Sequence, residues 1–178
     1  MNSTLSTVKS FYHKLGSFPW FYKFSSKLIP IAFILGFPIF FLGLIWGIYF
    51  SPTDVTQGEI YRIIYLHVPA ASVAQTVYFA MAIAGFVYVV WKMKMAGLFI
   101  YAMAPIGASF TILALISGAI WGQPTWGTFW VWDARLTSML VLMFFYILFI
   151  FSYKFVKNAD TSLKICTGIS ILGLINVF

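Results

Sequence analysis

The residues best suited to chemistry stand in two short stretches. The first reads Trp121-Gly-Gln-Pro-Thr-Trp126-Gly-Thr-Phe-Trp130-Val-Trp132-Asp133-Ala-Arg135 and holds four of the seven tryptophans of the chain. An indole is rigid, flat and apolar with one N–H donor at its edge, so clustered indoles make a platform for a large planar ligand such as a porphyrin. The plain alternative is an aromatic belt at a membrane interface, and the isolated Trp20, Trp46 and Trp91 fit it. A belt spreads its rings over several helix ends, whereas these four share one connection punctuated by Gly122, Pro124 and Gly127. Trp126 and Trp130 share a face if the segment is helical; Trp130 and Trp132 share one if it is extended.

The second stretch is Tyr61-Arg62-Ile-Ile-Tyr-Leu-His67-Val-Pro69-Ala-Ala-Ser72. Imidazole is a common metal ligand, and the alternative for His67 is a packed, hydrogen-bonded side chain. Pro69 biases Val68 away from the helical region, which predicts that His67 sits at a break just before a helix. Arg62 and Arg135 carry planar guanidinium forks suited to carboxylates. They have local partners as well, Glu59 and Asp133, in pairs worth little when exposed. Asp133 reads as a residue that orients the loop or pairs with Arg135, not as a base. The single cysteine, Cys166, lies in an apolar run, which excludes a disulfide framework or a C-x-x-C thiolate site.

These side chains must be positioned by membrane-spanning helices. Of 178 residues, 62% are hydrophobic and 8% charged, far below the quarter usual in soluble domains. At roughly 20 apolar residues per crossing the length allows about five helices and short loops, with no room for a large extramembrane domain. The expected crossings are Leu28 to Phe50, Pro69 to Trp91, Leu98 to Ile120, Leu136 to Tyr153 and Leu163 to Phe178, in an all-α single domain over residues 1 to 178. Residues 1 to 27 form a polar, lysine-bearing arm without the short apolar core and small-residue site of a cleaved signal, so the first helix is expected to be retained.

Charge sets the sidedness. All nine lysines fall on one side with Asp160, a net of +8, while Arg62 and Arg135 fall on the other with Asp54, Glu59 and Asp133, a net of −1. Lysine and arginine concentrate on the cytoplasmic side, so the arm is expected inside and the loops at 51 to 68 and 121 to 135 outside. That placement accounts for the basic balance without a nucleic-acid partner. His13 falls on the inner arm, away from the tryptophans. Ile165 to Phe178 supplies 14 uncharged residues, little more than two thirds of a hydrocarbon core at about 1.5 Å per residue. A longer parent sequence is therefore expected.

Four stretches resemble the CcmC family, the haem-handling C component of cytochrome c maturation. They are Tyr61-Arg-Ile-Ile-Tyr-Leu-His-Val-Pro-Ala-Ala, Met93-Lys-Met-Ala, Ala102-Met-Ala-Pro-Ile-Gly-Ala, and the tryptophan-rich run from Trp121 to Arg135 continuing Leu-Thr-Ser. The last is similar to the family's "WWD" signature. The resemblance implies a protein that delivers haem rather than an enzyme. It would hold b-type haem transiently at the outer, periplasmic face of the bacterial inner membrane, or the mitochondrial equivalent. The cargo then passes to a haem chaperone, the E component, with an ATP-binding cassette pair (A and B) and a small D component as further partners.

By that resemblance His67 is the first of two axial ligands to the haem iron. Trp121, Trp126, Trp130, Trp132 and Asp133, in the stretch from Trp121 to Arg135, belong by it to the haem-contacting and chaperone-contacting loop; from guanidinium chemistry, Arg62 or Arg135 is expected to engage propionate. Family members continue past an Ile-Asn-Val stretch into a loop with a second histidine and then a sixth helix, beyond Phe178 of this sequence. A permease subunit and a haem-containing electron-transfer subunit are the alternatives. The inner loops at 92 to 97 and 154 to 162 are short for coupling to an ATPase, and an electron carrier needs a stable axial pair where one outward histidine is present. A purely structural subunit is a third alternative, for which copurified haem discriminates.

Cysteines introduced at positions 67 and 126 are expected to react with an impermeant thiol reagent from the same side of sealed vesicles. Labelling from opposite sides would overturn the shared-face reading.

Overall fold

The computed structural model describes residues 17 to 177, and the arm residues Lys9, His13 and Lys14 lie outside that range. The chain divides into two compact units, Met1–Ile45 and Trp46–Phe178. In the first, helix α1 (Phe18–Ile45) begins ten residues before the expected Leu28. Pro19 occupies the first turn, where its missing N–H has no helical partner to lose. Lys23 and Lys27 fall within its first turns, and long lysine stems let a charge reach water from such positions. Pro30 and Pro38 lie inside α1, as membrane helices tolerate.

The second unit opens with a π-helical turn (Trp46–Phe50), a loop and a 3₁₀ turn (Glu59–Ile63). Four helices follow: α2 (Ile64–Trp91), α3 (Lys94–Trp126), α4 (Ala134–Phe155) and α5 (Ala159–Val177). The protein is all-α, with no β-strand among the described residues. Four stretches, 18–50, 59–91, 94–126 and 134–155, are long and apolar enough to cross a membrane. Helix α5, where a fifth crossing was expected from Leu163, starts at Ala159 and includes Asp160, Lys164 and Asn176, which lowers its hydropathy.

Two expected boundaries are corrected. His67 does not sit at a break: α2 runs through it from Ile64, with Pro69 inside the helix. The added turn is anchored from outside, since Arg62 Nη2 donates to the Ser51 carbonyl at 2.8 Å and Tyr65 packs where a Cβ on Gly47 would stand. Likewise α3 does not end at Ile120 but continues two turns to Trp126, through Gly122 and Pro124. The stop is Gly127, whose φ of 76° is left-handed and whose N–H bonds to Gln123 O at 2.9 Å, a glycine C-terminal cap. Only residues 127 to 133 of the expected 121 to 135 loop are non-helical.

Short connections make α2 to α5 successive antiparallel neighbours. His67 meets Ser117 and Asn176 Nδ2 donates to Ser138 O (2.9 Å) at one end, while Tyr88 Oη donates to Asp160 Oδ1 (2.7 Å) at the other. Lys92, Lys94, Lys154, Lys157 and Lys164 therefore cluster at one end of this unit, and both arginines with Asp54, Glu59 and Asp133 at the other. Within this unit, the segregation inferred from loop charges is present for these residues.

Between the ends, packing holds the helices. Hydrocarbon gives them no hydrophobic reason to associate, so close contact and hydrogen bonds must serve. Tyr78, Tyr146 and Phe149 are fully buried. The Tyr78 hydroxyl donates to Ile169 O (2.8 Å) and that of Tyr146 to Ala74 O (2.7 Å), tying α2 to α5 and α4 to α2. Interhelical bonds of this kind average about 0.6 kcal/mol. Overpacking costs about 1–3 kcal/mol, so fit outweighs the bonds. Gly107 illustrates this, since a Cβ there would overlap the Tyr146 ring.

Gly107→Ala is accordingly expected to lower the thermal midpoint in detergent. Gly168→Ala, where a Cβ meets nothing within 4 Å, is expected to leave it unchanged or raise it.

Candidate functional site

The polar end of the second unit encloses a cavity of about 520 Å³, a size usual for small-molecule sites. Helix α2 lines it with His67, Ala71 and Gln75, spaced four apart on one face. From α3 come Ala114, Leu115, Gly118, Trp121, Thr125 and Trp126, and from α4 Arg135, Leu136, Ser138 and Met139. Gln57 closes it from the loop before the 3₁₀ turn.

His67 is half-buried, and three groups position its ring. Its Nδ1 lies 3.1 Å from Ser117 Oγ. The Ser117 hydroxyl also reaches the Leu113 carbonyl at 2.7 Å; when it donates there, Oγ accepts and Nδ1 carries the hydrogen. In that tautomer Nε2 carries the lone pair, and the Ala114 backbone is a further hydrogen-bond partner of the imidazole. Gly118 lets the imidazole lie against α3, since a Cβ there would stand 2.9 Å from Cε1. The Trp121 indole meets the ring edge-on, centroids 5.6 Å apart at 73°.

Trp121 is held in turn. Its Nε1 donates to Gln57 Oε1 at 2.7 Å. Gln57 is placed by a turn built on Asp54, whose Oδ1 accepts from Thr56 N (2.9 Å), Thr56 Oγ1 (2.6 Å) and Gln57 N (2.8 Å). Those bonds, the Thr56 hydroxyl first, hold the Asp54 carboxyl below its ordinary range.

Helix α4 starts on Asp133, whose Oδ1 accepts from Leu136 N at 2.8 Å as an N-terminal cap. Its other oxygen accepts from Arg135 Nε (3.2 Å) and Nη2 (2.8 Å). The same guanidinium lies 5.5 Å from the Trp126 ring centroid, a cation–π contact at the cavity rim. Asp133 therefore both orients the loop and pairs with Arg135.

The structure brings His67, Trp121, Trp126 and Arg135 around one cavity, with Asp133 supporting its rim. Trp130 and Trp132 are not among the lining residues. They pack against each other edge-on at 5.5 Å in the non-helical segment, so the extended alternative holds there, and Trp126, on α3, is apart from them. Trp132 is 78% exposed, while the Trp130 Nε1 is buried without a hydrogen-bond partner. Arg62 is also outside the lining: it pairs with Glu59 and Ser51 O, and its Nε is buried and unpaired. Sequence reasoning missed Gln57, Ser117 and Gly118. The Ser117-Gly118 pair one turn before Trp121 was the available signal, hidden among the small residues of α3.

An imidazole, two indoles and a rim guanidinium thus line one cavity. Among the described residues no three His, Cys, Asp or Glu side chains gather into a cage for a bare metal ion. Fold and site together define a multi-pass helical membrane protein with a cavity at its polar end. A family model described as CcmC, heme exporter protein C, matches residues 11–178, and the chain belongs to that family.

Its relatives include the heme exporter protein C of Escherichia coli K12, 53% identical over 135 residues, which covers 76% of this chain and 55% of the relative. That of Rhodobacter capsulatus is 36% identical over 153 residues, 86% of this chain and 63% of the relative. A putative cytochrome c biosynthesis ccmC-like mitochondrial protein of Marchantia polymorpha is 47% identical over 132 residues, 74% and 54% respectively. The chain thus spans little more than half the length of curated relatives it matches.

The Asp133 carboxyl is held below its ordinary value of 3.8 by the Leu136 N–H first and Arg135 second. A depressed folded pKa means that the cap is fully effective above the ordinary value and is lost as pH falls through the folded one. Amide protection at Leu136 is expected to fall below about pH 4 in the wild type. In Asp133→Asn that acid loss is expected to disappear.

Proposed function

We propose that this chain holds haem as cargo at the outer face of the bacterial inner membrane and yields it to a haem chaperone for cytochrome c maturation. The observation that carries the reading is the His67–Ser117 contact. It commits Nδ1 and leaves Nε2 to the iron, as outer-shell partners of metal-bound histidine commonly do. The indoles of Trp121 and Trp126 cover the macrocycle, and Arg135, exposed at the rim, engages a propionate. Arg62 serves the second propionate if its link to Glu59 opens; its unpaired Nε supports that role.

The lysine-rich end faces the cytoplasm, by the positive-inside tendency. The cargo is b-type haem, held transiently, with the loop indoles Trp130 and Trp132 turned toward the chaperone. An ATP-binding cassette pair and a D component are the further partners. The names of the relatives, heme exporter and cytochrome c biosynthesis protein, support this assignment. No bond of the cargo is made or broken, so the role is delivery.

In the full-length purified protein, His67→Ala is expected to abolish the haem Soret band on reconstitution. Ser117→Ala is expected to weaken haem binding about 10–100-fold, as loss of an outer-shell partner does. Unchanged haem spectra in His67→Ala would remove the reading.

A further inference from the structure

Three contacts on His67 come from α3: the Ser117 hydroxyl at Nδ1, the bare backbone at Gly118 and the Trp121 indole, and the first two are set by the helix itself. The third, the Trp121 indole, owes its orientation to a residue from another element. Indole nitrogen only donates, so Gln57 must turn its side-chain carbonyl toward it, and the 2.7 Å bond spans 64 residues of sequence. The backbone of Gln57 is pinned by the Asp54 carboxylate, and the turn closes with Gly58 N donating to Asp54 O (2.9 Å) and Asp54 N to Gly58 O (3.3 Å). Gly58 has φ 61°, a conformation that favours glycine, so this tight return is built into the sequence. A continuous run of contacts thus joins Asp54, Gln57, Trp121, His67 and Ser117.

We propose that Gln57 is a positioning residue for cargo release: its carbonyl clamps the Trp121 indole edge-on to His67 and so sets the plane in which the imidazole presents Nε2. This rests on the ligand role of His67 proposed above. The clamp comes from a loop held by one carboxylate and a single backbone pair, whereas the other two contacts are set by helix packing. Loops of that kind open at lower free energy than packed helices. Opening the clamp frees the indole, lets the imidazole turn, and speeds departure of haem without removing the ligand.

The test uses the full-length protein loaded with haem, with apomyoglobin in excess as acceptor. Gln57→Met keeps length and bulk without a carbonyl; Gln57→Glu keeps an acceptor. Gln57→Met is expected to raise the haem dissociation rate about 5- to 10-fold, the effect of losing one modest hydrogen bond. Gln57→Glu is expected to stay within about threefold of wild type, and Gln57→Met/Trp121→Phe to be no faster than Trp121→Phe alone, since contacting residues couple. In ¹⁵N-tryptophan-labelled protein without haem, the Trp121 indole N–H resonance should move upfield in Gln57→Met and hold its place in Gln57→Glu. An unmoved resonance, or additive effects on the rate, overturns the clamp. A Trp121 resonance that responds as expected, beside unchanged haem binding in His67→Ala, instead overturns the haem reading and with it the release role.

Discussion

The site depends on one close approach, that of the His67 imidazole on α2 to the backbone of α3. It requires a residue without a Cβ at position 118, and it is locked by the hydroxyl of the residue before it. Ser117, Gly118 and Trp121 fall on one turn of α3, so a single helix surface supplies the Nδ1 partner, the ring placement and the indole that Gln57 orients. Helix α2 is also tied to α4 and α5 elsewhere. Tyr146 crosses to Ala74 over Gly107, Tyr78 reaches Ile169, and Tyr88 reaches Asp160 at the far end. Each is a long aromatic side chain ending on a polar partner of a neighbouring helix, a sparse means of fixing the register where hydrophobic burial does not discriminate.

Acids at the polar end serve architecture. Asp54 closes the turn that carries Gln57, Asp133 starts α4, and Glu59 neutralises Arg62. The Asp54 and Asp133 carboxylates are stabilised by N–H and O–H donors and sit on loops, so they remain charged at neutral pH. Arg135 is different in kind. It is 78% exposed, pairs with Asp133 through a single oxygen, and lies over an indole at the cavity rim. An exposed pair of this sort is weakly held, which leaves the guanidinium able to take a better carboxylate.

The membrane class, the helix pattern and the two-sided charge distribution were legible because each rests on composition over twenty or more residues. So was the meeting of His67 with the tryptophan run, since both adjoin loops of the same charge class. The local breaks were misleading. Pro69, Gly122 and Pro124 read as interruptions, yet α2 and α3 pass through them because the Arg62–Ser51 and Trp121–Gln57 contacts secure the added turns. A proline signal concerns one backbone donor, and a tertiary contact made elsewhere can outweigh it. Gln57, Ser117 and Gly118 escaped notice for another reason: their roles are relations between elements, and none carries a composition or spacing that marks a ligand site.

The tryptophans also divide in a way that spacing alone could not show. As a platform, four indoles in one loop would bind a planar molecule face-on from water. Instead Trp121 and Trp126 are helical and look into a cavity between α2, α3 and α4, while Trp132 is exposed beyond its rim. On the proposed reading, a flat macrocycle among Leu115, Leu136 and Met139 would have its apolar body removed from water and its charged edge near Arg135. That division suits a carrier on the proposed reading. Apolar burial supplies affinity that is indifferent to partner, the single imidazole supplies identity, and an exposed rim gives a competing acceptor an edge to grasp. A site that enclosed the whole ligand would hold more tightly, but the acceptor would then have to wait for the bundle itself to open.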